Sequence, residues 1–370
     1  MMKLLIDASS INKKNILASV PGYIFRLIDM FATEGGLELL VDYSMSQFFK
    51  GKYPHLTIHN IKRNYILYRL PIFGEVYGRF VYKQAISKIS HSVEIIPSDL
   101  DRSTKVQSSA KKILIIYDLK AIKDGSFFER KRNFRFYNFL INNATKVIAI
   151  SEYTRKDLET FFNVPRPKIH VIYCSVNAPK QTFWNRPSPI PGKYLLYVNT
   201  LLPQKNVLTL VKAFENIKQK NSHHLVIVGK ETPYWKKEVL PYINSHDLGD
   251  RIILFQNLPV ENLWHLYKNA SVFVTPSLRE GFGYTPIEAA LCKVPVICSR
   301  CEALPYSTQD LLNYYEPAKD YKALACKIDA VLNNPPSEQQ LEKIAEKYKK
   351  DYSSERQLDL FKKVLDDIEE

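Results

Sequence analysis

The chain has 370 residues, of which 45% are hydrophobic and 24% charged, and its formal net charge at pH 7 is +14. This length and apolar content exclude a disordered chain and suffice for two domains, each with its own core. No run approaches about 18 apolar residues, which excludes a predicted transmembrane helix, and the five cysteines do not form the paired framework of a disulfide-rich domain.

The positive charge is concentrated in the first half of the chain. Residues 1–180 contain 28 Lys and Arg against 15 Asp and Glu, whereas residues 181–370 contain 24 against 23. Such an excess indicates an anionic partner. We expect a phospholipid surface or a pyrophosphate-linked lipid, and no nucleic acid.

Short apolar runs alternate with longer helix-compatible stretches in the first half. This alternation predicts an α/β domain with a parallel sheet, whose ligands bind at the carboxyl ends of the strands. The first run starts almost at once, so we predict no N-terminal signal sequence. The predicted strands are residues 4–6, 39–41, 93–96, 113–117, 147–150 and 169–173.

Two segments of the first half, residues 62–83 and 127–137, interleave basic and aromatic side chains. This mixture favours an interface with an anionic membrane surface. An alternative is that aromatic residues at helical spacing belong to the core, as Phe134, Tyr137 and Ile141 would if they pack inward. Base stacking in a nucleic-acid complex is a less favoured alternative.

Two short patterns have the spacing of metal sites. Asp99-Leu100-Asp101 is an Asp-x-Asp after a predicted strand, but the rest of a metal-dependent pattern is missing, so we interpret it as loop carboxylates. Cys298 and Cys301 have zinc or redox spacing, but a zinc site needs about two more ligands. We interpret them as small residues at a strand end and predict no metal.

A proline-rich segment divides the chain. Residues 178–193 carry four of the 21 prolines and no periodic apolar face, as a linker does. We therefore predict one domain over residues 1–180, a linker over 181–193 and a second domain over 194–354. The predicted strands of the second domain are residues 194–198, 225–228, 252–255, 272–274 and 294–298.

The most informative motif follows the strand at residues 272–274. Glu280 and Glu288, eight positions apart, bracket a loop in which Gly281 and Gly283 let the chain turn with its amides exposed. The loop opens directly into a predicted helix. A helix that begins there directs unpaired N–H groups and its positive dipole end at the loop, which indicates a diphosphate ligand.

The start of this helix has the pattern of a capping box. Thr285, Pro286 and Glu288 are predicted as the N-cap, the first helical residue and the third helical residue. Alternatively, Glu288 only closes this box and Glu280 is a solvated loop carboxylate. The motif by itself leaves the choice open.

Over nearly its whole length the chain resembles the retaining glycosyltransferases of family 4. Leu-Pro-Gln-Lys-Asn at residues 202–206 resembles the family's Pro-Arg-Lys-Asn loop, and Ile-Ala-Ile-Ser-Glu-Tyr-Thr at residues 148–154 resembles its turn before the interdomain hinge. The resemblance implies a GT-B fold of class α/β, with two Rossmann-like parallel-sheet domains facing a central cleft. It also implies that the last helix, residues 355–370, crosses back to the first domain.

The resemblance also implies roles for site residues. Glu280 would contact hydroxyls of the donor sugar, Glu288 the ribose, and Lys205 the diphosphate, with amides of residues 281–285 lining the pocket. The implied catalytic residues are Glu280, Lys205, Tyr117 and Asp118. The implied donor-binding residues are Lys205, Glu280, Gly281, Phe282, Gly283, Tyr284, Thr285, Glu288, Gly22, Thr200, Gly229 and Leu258.

The chain departs from the family pattern at several places, three of which concern the implied site. Gln204 stands where the family usually has arginine, so one phosphate-facing cation is missing. Tyr117 replaces the histidine of a His-Asp-Leu motif; its hydroxyl donates a hydrogen bond but is not tuned to neutral pH. Ser-Val-Pro-Gly-Tyr at residues 19–23 replaces a Gly-x-Gly-Arg-Tyr loop and keeps one glycine, Gly22.

The resemblance, together with these patterns, implies a hexosyltransferase that retains anomeric configuration and needs no metal or other cofactor. Its donor would be a GDP- or UDP-linked sugar, with mannose favoured, and its acceptor a glycan or lipid-pyrophosphate-linked oligosaccharide of O-antigen or capsule synthesis. We expect it in the cytoplasm, peripheral to the inner face of the membrane. Two alternatives remain open: a sugar-nucleotide epimerase of the same shape, and a non-catalytic protein that binds nucleotide sugars or membranes.

Overall fold

The computed structural model describes residues 3–16, 18–68, 73–98, 102–179, 190 and 192–369. The chain divides into two compact units. The first comprises Met1–Cys174 with Ser354–Glu370, and the second Ser175–Ser353. Most of the predicted linker, residues 181–193, lies outside the described residues, so the predicted domain boundary stays a prediction.

The first unit contains a seven-stranded parallel sheet in the order β3-β2-β1-β4-β5-β6-β7. Its strands are β1 Leu4–Ala8, β2 Leu37–Asp42, β3 Thr57–Ile61, β4 Val93–Ser98, β5 Lys111–Ile116, β6 Lys146–Ala149 and β7 Ile169–Val171. Its helices are α1 Ser19–Phe31, α2 Ser46–Lys52, α3 Tyr65–Tyr68, α4 Phe73–Ile86, α5 Lys120–Lys123, α6 Phe127–Asn143, α7 Glu152–Phe162 and α15 Ser354–Glu369.

The second unit contains a six-stranded parallel sheet in the order β10-β9-β8-β11-β12-β13. Its strands are β8 Lys193–Val198, β9 His223–Val228, β10 Ile252–Phe255, β11 Val272–Thr275, β12 Val296–Ser299 and β13 Asn313–Tyr315. Its helices are α8 Val207–Asn216, α9 Leu240–Ser245, α10 Val260–Asn269, α11 Tyr284–Leu291, α12 Leu304–Ser307, α13 Tyr321–Asn333 and α14 Glu338–Asp351.

The predicted α/β class with two parallel sheets is confirmed. All eleven predicted strands occur, each with ends within two residues of the prediction. Sequence reasoning missed β3 and β13, which are edge strands. Only one residue of each is buried, so neither needs the continuous apolar run that marks a strand covered on both faces.

The last helix, α15, packs in the first unit, as the resemblance implied. Phe361 is fully buried, and its ring lies 5.7 Å from that of Phe31 on α1. The Gln357 side-chain amide donates to the Tyr173 carbonyl at 3.0 Å. Among the described helices, none combines the length and apolarity needed to cross a bilayer.

The strand order of the second sheet marks one position for a ligand. The chain enters at β8, adds β9 and β10 on one side, and then returns to add β11 on the other. The connection after β8 leads to β9 and the connection after β11 leads to β12, so the two run in opposite directions along the sheet. In open parallel sheets, ligands bind at the carboxyl ends of the strands beside this reversal.

Candidate functional site

The loops that follow β8 and β11 are joined to each other. The Leu278 amide donates to the Gln204 carbonyl at 2.8 Å, and the Asn206 side-chain amide donates to the Pro276 carbonyl at 3.0 Å. Asn206 has a left-handed backbone, with φ of 57°, which asparagine tolerates better than most residues. These bonds hold the segment containing Lys205 against the segment containing Glu280.

The Lys205 ammonium lies 2.6 Å from Oε1 of Glu280. The Glu280 carboxylate also accepts from the Ser277 hydroxyl at 2.9 Å and from the Asn199 side-chain amide at 3.3 Å. Only 15% of the Lys205 side chain and 11% of the Glu280 side chain are exposed. Two predicted site residues, 75 positions apart, thus form a nearly buried ion pair with fixed geometry.

Glu302, which follows β12, is a site residue that sequence reasoning missed. Its Oε2 accepts from the Glu280 amide at 3.0 Å, and its Oε1 lies 4.0 Å from Nε of Arg279. The Ala303 amide donates to the Glu280 carbonyl at 3.4 Å. The loop after β12 therefore holds the backbone of Glu280 from both sides, and no spacing pattern in the sequence indicated this.

Gly283 makes the turn from the loop into α11. Its φ is 93°, and a Cβ on it would lie 2.5 Å from a methyl carbon of Leu304. The helix begins at Tyr284 with Gly283 as its N-cap. The predicted N-cap at Thr285 was therefore wrong: glycine completes the turn earlier, since it adopts left-handed backbone without strain.

Glu288 does not close a capping box, so that prediction was also wrong. Its Oε2 accepts from the Tyr267 hydroxyl at 2.9 Å. Burial, with the nearby Glu288 carboxylate, raises the pKa of Tyr267 well above its ordinary value. The first turn of α11 thus has no side-chain cap at its N-cap position, because glycine has no side chain.

Phe282, between the two glycines, anchors the loop. It is buried, its ring lies 5.6 Å from that of Tyr352 and 5.0 Å from that of Tyr284, and its carbonyl accepts from the Ser307 hydroxyl. Gly281 and Thr285, on either side, are partly exposed. The buried Phe282 ring thus fixes the loop, while Gly281 and Thr285 leave part of the loop exposed.

Three other predicted donor-binding residues lie at the same edge of the second sheet. Thr200, Gly229 and Leu258 follow β8, β9 and β10 respectively. The Thr200 amide donates to the Asn199 side chain at 2.9 Å. A Cβ on Gly229 would lie 2.4 Å from the Asn199 carbonyl oxygen, so only glycine fits there.

The predicted residues Tyr117, Asp118 and Gly22 belong to the first unit. Tyr117 follows β5, and its ring meets that of Tyr23 edge-on at 5.2 Å. Asp118 accepts from the Lys120 amide at 3.0 Å, just before α5. Gly22 lies in the first turn of α1, so residues 19–23 begin a helix where the resemblance implied a loop.

The described part of the chain contains no cluster of three or more His, Cys, Asp and Glu placed to hold a metal ion. Cys298 is buried in β12, and burial raises the pKa of the Cys301 thiol to about 12. Burial also raises the pKa of the Cys298 thiol well above its ordinary value. Asp99-Leu100-Asp101 lies outside the described residues.

Two family models match the chain. "Glycosyl transferases group 1" matches residues 180–348, and "Glycosyltransferase Family 4" matches residues 117–179. The second match begins at Tyr117, and the first contains Lys205, Glu280 and Glu288. The two matches are contiguous and together cover well over half of the chain.

Individual relatives agree with these families. The chain is 27% identical to O-antigen chain mannosyltransferase B of Escherichia coli over 179 residues, which are 45% of this chain and 46% of that protein. It is 31% identical to O-antigen chain mannosyltransferase RfbU of Salmonella typhimurium over 188 residues, 50% and 51% of the two chains. The chain thus spans about half the length of these relatives.

A solved structure matches over the full length. Anabaena Alr3699/HepE in complex with UDP and glucose superposes with a TM-score of 0.76 at 13% identity, covering 99% of this chain and 100% of that one. Likeness at this identity concerns the fold alone, which is the GT-B fold. The two family matches, which together cover residues 117–348, show that the chain belongs to the family 4 (group 1) glycosyltransferases.

Proposed function

We propose that the protein transfers a hexosyl group from a nucleoside diphosphate sugar to a glycan or lipid-pyrophosphate-linked acceptor, with retention of anomeric configuration. The observation that carries this proposal is the Lys205–Glu280 pair at the carboxyl edge of the second sheet. It lies in the loops beside the strand reversal, where a nucleotide is expected. The family membership gives the reaction class.

Each group at this edge has a role in the proposed reaction. The departing diphosphate carries about two to three negative charges, which the Lys205 ammonium and preorganised backbone amides stabilise as they develop. The start of α11 adds amides and the positive end of a dipole. The Glu280 carboxylate, fixed by Ser277 and Asn199, accepts from hydroxyls of the donor sugar.

The proposed donor changes the partners of Lys205. In the structure the ammonium binds Glu280, and in the donor complex it would also face the diphosphate, so the phosphate competes for its protons. A Glu280 carboxylate thus released from one donor gains a free lone pair for a sugar hydroxyl. Donor binding and sugar recognition are therefore coupled through this pair.

We propose that no metal or other cofactor takes part. Lys205 and the amides supply the positive charge that a divalent ion provides in other transferases. The acceptor oxygen would attack on the face from which the diphosphate leaves, and a phosphate oxygen of the leaving group would take its proton. Activity that EDTA abolishes and manganese restores would contradict this part of the proposal.

The comparisons favour particular substrates. Two relatives are O-antigen mannosyltransferases, and a structure of the same fold was solved with UDP and glucose, so we propose a GDP- or UDP-linked hexose, with mannose favoured. The excess positive charge of residues 1–180 suits a lipid-pyrophosphate acceptor of O-antigen or capsule synthesis. The protein would act in the cytoplasm, peripheral to an anionic membrane surface.

Two measurements test the proposal in sequence. Thermal unfolding with GDP-, UDP- and dTDP-linked hexoses should show stabilisation by one donor, because a ligand selective for the folded state raises its stability. That donor, radiolabelled in the sugar, should then yield a glycosylated lipid-linked acceptor and slow hydrolysis without acceptor. A product that is only an epimerised nucleotide sugar would show an epimerase instead, and no turnover would indicate a binding protein.

A further inference from the structure

Helix α4 has an apolar stripe that faces solvent. Phe73, Val76 and Phe80 are 63%, 58% and 66% exposed, and their spacing places them on one side of the helix. The buried residues of α4 lie at four-residue intervals on the opposite side: Gly74, Gly78, Tyr82 and Ile86. The helix is thus anchored by one face while it exposes a second apolar one.

The start of α6 exposes two more aromatic side chains. Phe127 and Phe128 are 64% and 81% exposed, and all of residues 127–132 are exposed. A complete capping box between Ser126 and Glu129 fixes this helix end. The two rings therefore project from a rigid helix terminus.

The inward packing considered for residues 127–137 applies only to the later part of α6. Tyr137 and Ile141 are buried, and the Phe134 ring stacks on Phe162 at 4.7 Å. Phe127 and Phe128 precede this packed part of the helix. The core alternative therefore does not account for them.

A basic cavity joins the two helices. It has a volume of about 280 Å³ and is lined by Glu75 of α4, by Lys105, and by Phe128, Lys131, Arg132 and Arg135 of α6. Four cationic side chains and one carboxylate thus line it, and that carboxylate is bound by Arg79 at 2.8 Å. We call the stripe, the two rings and this cavity the α4–α6 face.

We infer that the α4–α6 face is a docking surface for a bilayer that contains anionic lipids. The inference deepens the proposed function, on which it rests for the lipid-linked acceptor. Exposed rings enter the headgroup region, and the cations around the cavity attract anionic headgroups. The aliphatic Val76 at the centre of the stripe suits lipid chains and has no use in base stacking, so a bilayer fits better than a nucleic acid.

Vesicle sedimentation tests this inference with the full-length protein. The vesicles are phosphatidylcholine alone, or phosphatidylcholine with about 30% phosphatidylglycerol. The wild-type protein should bind the anionic vesicles, bind the neutral ones far less, and be released as salt shortens the screening length. The double variant Phe127→Ala/Phe128→Ala should bind at least about tenfold more weakly, because two rings no longer enter the interface.

A charge variant tests the contribution of the cations around the cavity. Each cation near an anionic surface contributes about fivefold in binding, so Lys131→Glu/Arg132→Glu should weaken binding by at least about 25-fold. The matched control is Lys349→Glu/Lys350→Glu, an exposed basic pair at the end of α14 in the second unit. Binding in this control should stay close to that of the wild-type protein.

The outcomes separate this inference from the proposed function. If all variants bind the vesicles equally, or if the α14 control loses as much binding as the charge variant, the α4–α6 face is not a docking surface. A dimer in solution that Phe127→Ala/Phe128→Ala dissociates would also overturn the inference, since the face would then bind a second copy, and so would a preference for RNA over vesicles. Stabilisation by the donor should persist in every variant; its loss in the wild-type protein would instead count against the transferase site.

Discussion

Glu280 has its side chain and its backbone fixed by different parts of the second unit. Three donors, on Lys205, Asn199 and Ser277, hold the carboxylate, and the Glu302 carboxylate holds the amide of the same residue. An acceptor fixed in this way loses little further freedom when a ligand binds. Such preorganisation is what a transferase needs to position a sugar for reaction.

Removing either partner of the central ion pair should be severe. We expect Lys205→Ala and Glu280→Ala each to lower turnover about a hundredfold or more, as for the loss of one preorganised charge-stabilising contact. Because each change also leaves a nearly buried charge without its partner, unfolding temperature must be recorded with the rates. Lys236→Ala, a lysine on the surface of the same unit, should leave turnover unchanged, and wild-type rates in either site variant would contradict the site.

Glu302 should act as a positioning residue through the Glu280 backbone. Glu302→Gln keeps an oxygen for the Glu280 amide and should retain turnover within about threefold, whereas Glu302→Ala should lower kcat about tenfold or more, since small misplacements of reacting groups are costly. Steady-state kinetics should show this loss in kcat rather than in KM for the donor. Equal effects of the two substitutions on kcat would indicate that the charge, not the position, matters.

At the scale of elements, the turn into α11 depends on one glycine. Gly283→Ala places a Cβ 2.5 Å from Leu304 and keeps a left-handed φ of 93°, so we expect a loss of about 1–3 kcal/mol in the free energy of unfolding. Chemical denaturation of the purified protein measures this loss. Gly249→Ala is the matched control because no atom lies within 4 Å of its Cβ position; a similar loss there would refute the steric argument.

The strands were predictable because a buried parallel strand has little choice of residues. Every residue of β1 is buried, and its apolar run shows this in the sequence. Edge strand β3, Thr-Ile-His-Asn-Ile, carries a mixed pattern that also suits a loop. Apolar runs therefore predicted every inner strand and the edge strands β7 and β10, and they missed the edge strands β3 and β13.

For the candidate site, sequence reasoning named residues that the structure brings together, and it missed some of their contacts. The resemblance pointed to Lys205 and Glu280, but the bond between Glu302 and the Glu280 amide depends on two loops that meet only in the folded sheet. Glu288 stands at the position that a capping box requires, yet its carboxylate accepts a hydrogen bond from the hydroxyl of Tyr267, which is distant in sequence. Local rules fail where a distant residue offers a better bond.

At the scale of the whole molecule, the last helix completes the core of the first unit. Phe361→Ala removes a fully buried ring and should destabilise that unit by about 3–5 kcal/mol. Of the three tryptophans, Trp235 and Trp264 lie in the second unit, and Trp184 lies outside the described residues. Far-ultraviolet circular dichroism reports both units. Thermal unfolding followed by this signal should therefore show a larger decrease in midpoint temperature than unfolding followed by tryptophan fluorescence.

The neighbouring Lys362 provides the control for this prediction. Its ammonium pairs with Glu34 at 2.6 Å on the surface, and exposed pairs contribute about 1 kcal/mol or less. Lys362→Ala should therefore leave both midpoints nearly unchanged. Equal shifts of both signals in Phe361→Ala would mean that the two units unfold as one.

Because α15 belongs with the first unit although residues 175–353 intervene, the order of synthesis on the ribosome differs from the order of assembly. The segment 175–353 emerges whole before residues 354–370 leave the exit tunnel. The first unit remains incomplete, with the apolar surface around Phe31 uncovered, until residues 354–370 have emerged. A released chain that ends at residue 353 should therefore bind chaperones through its first unit, whereas all residues of its second unit are present and can fold.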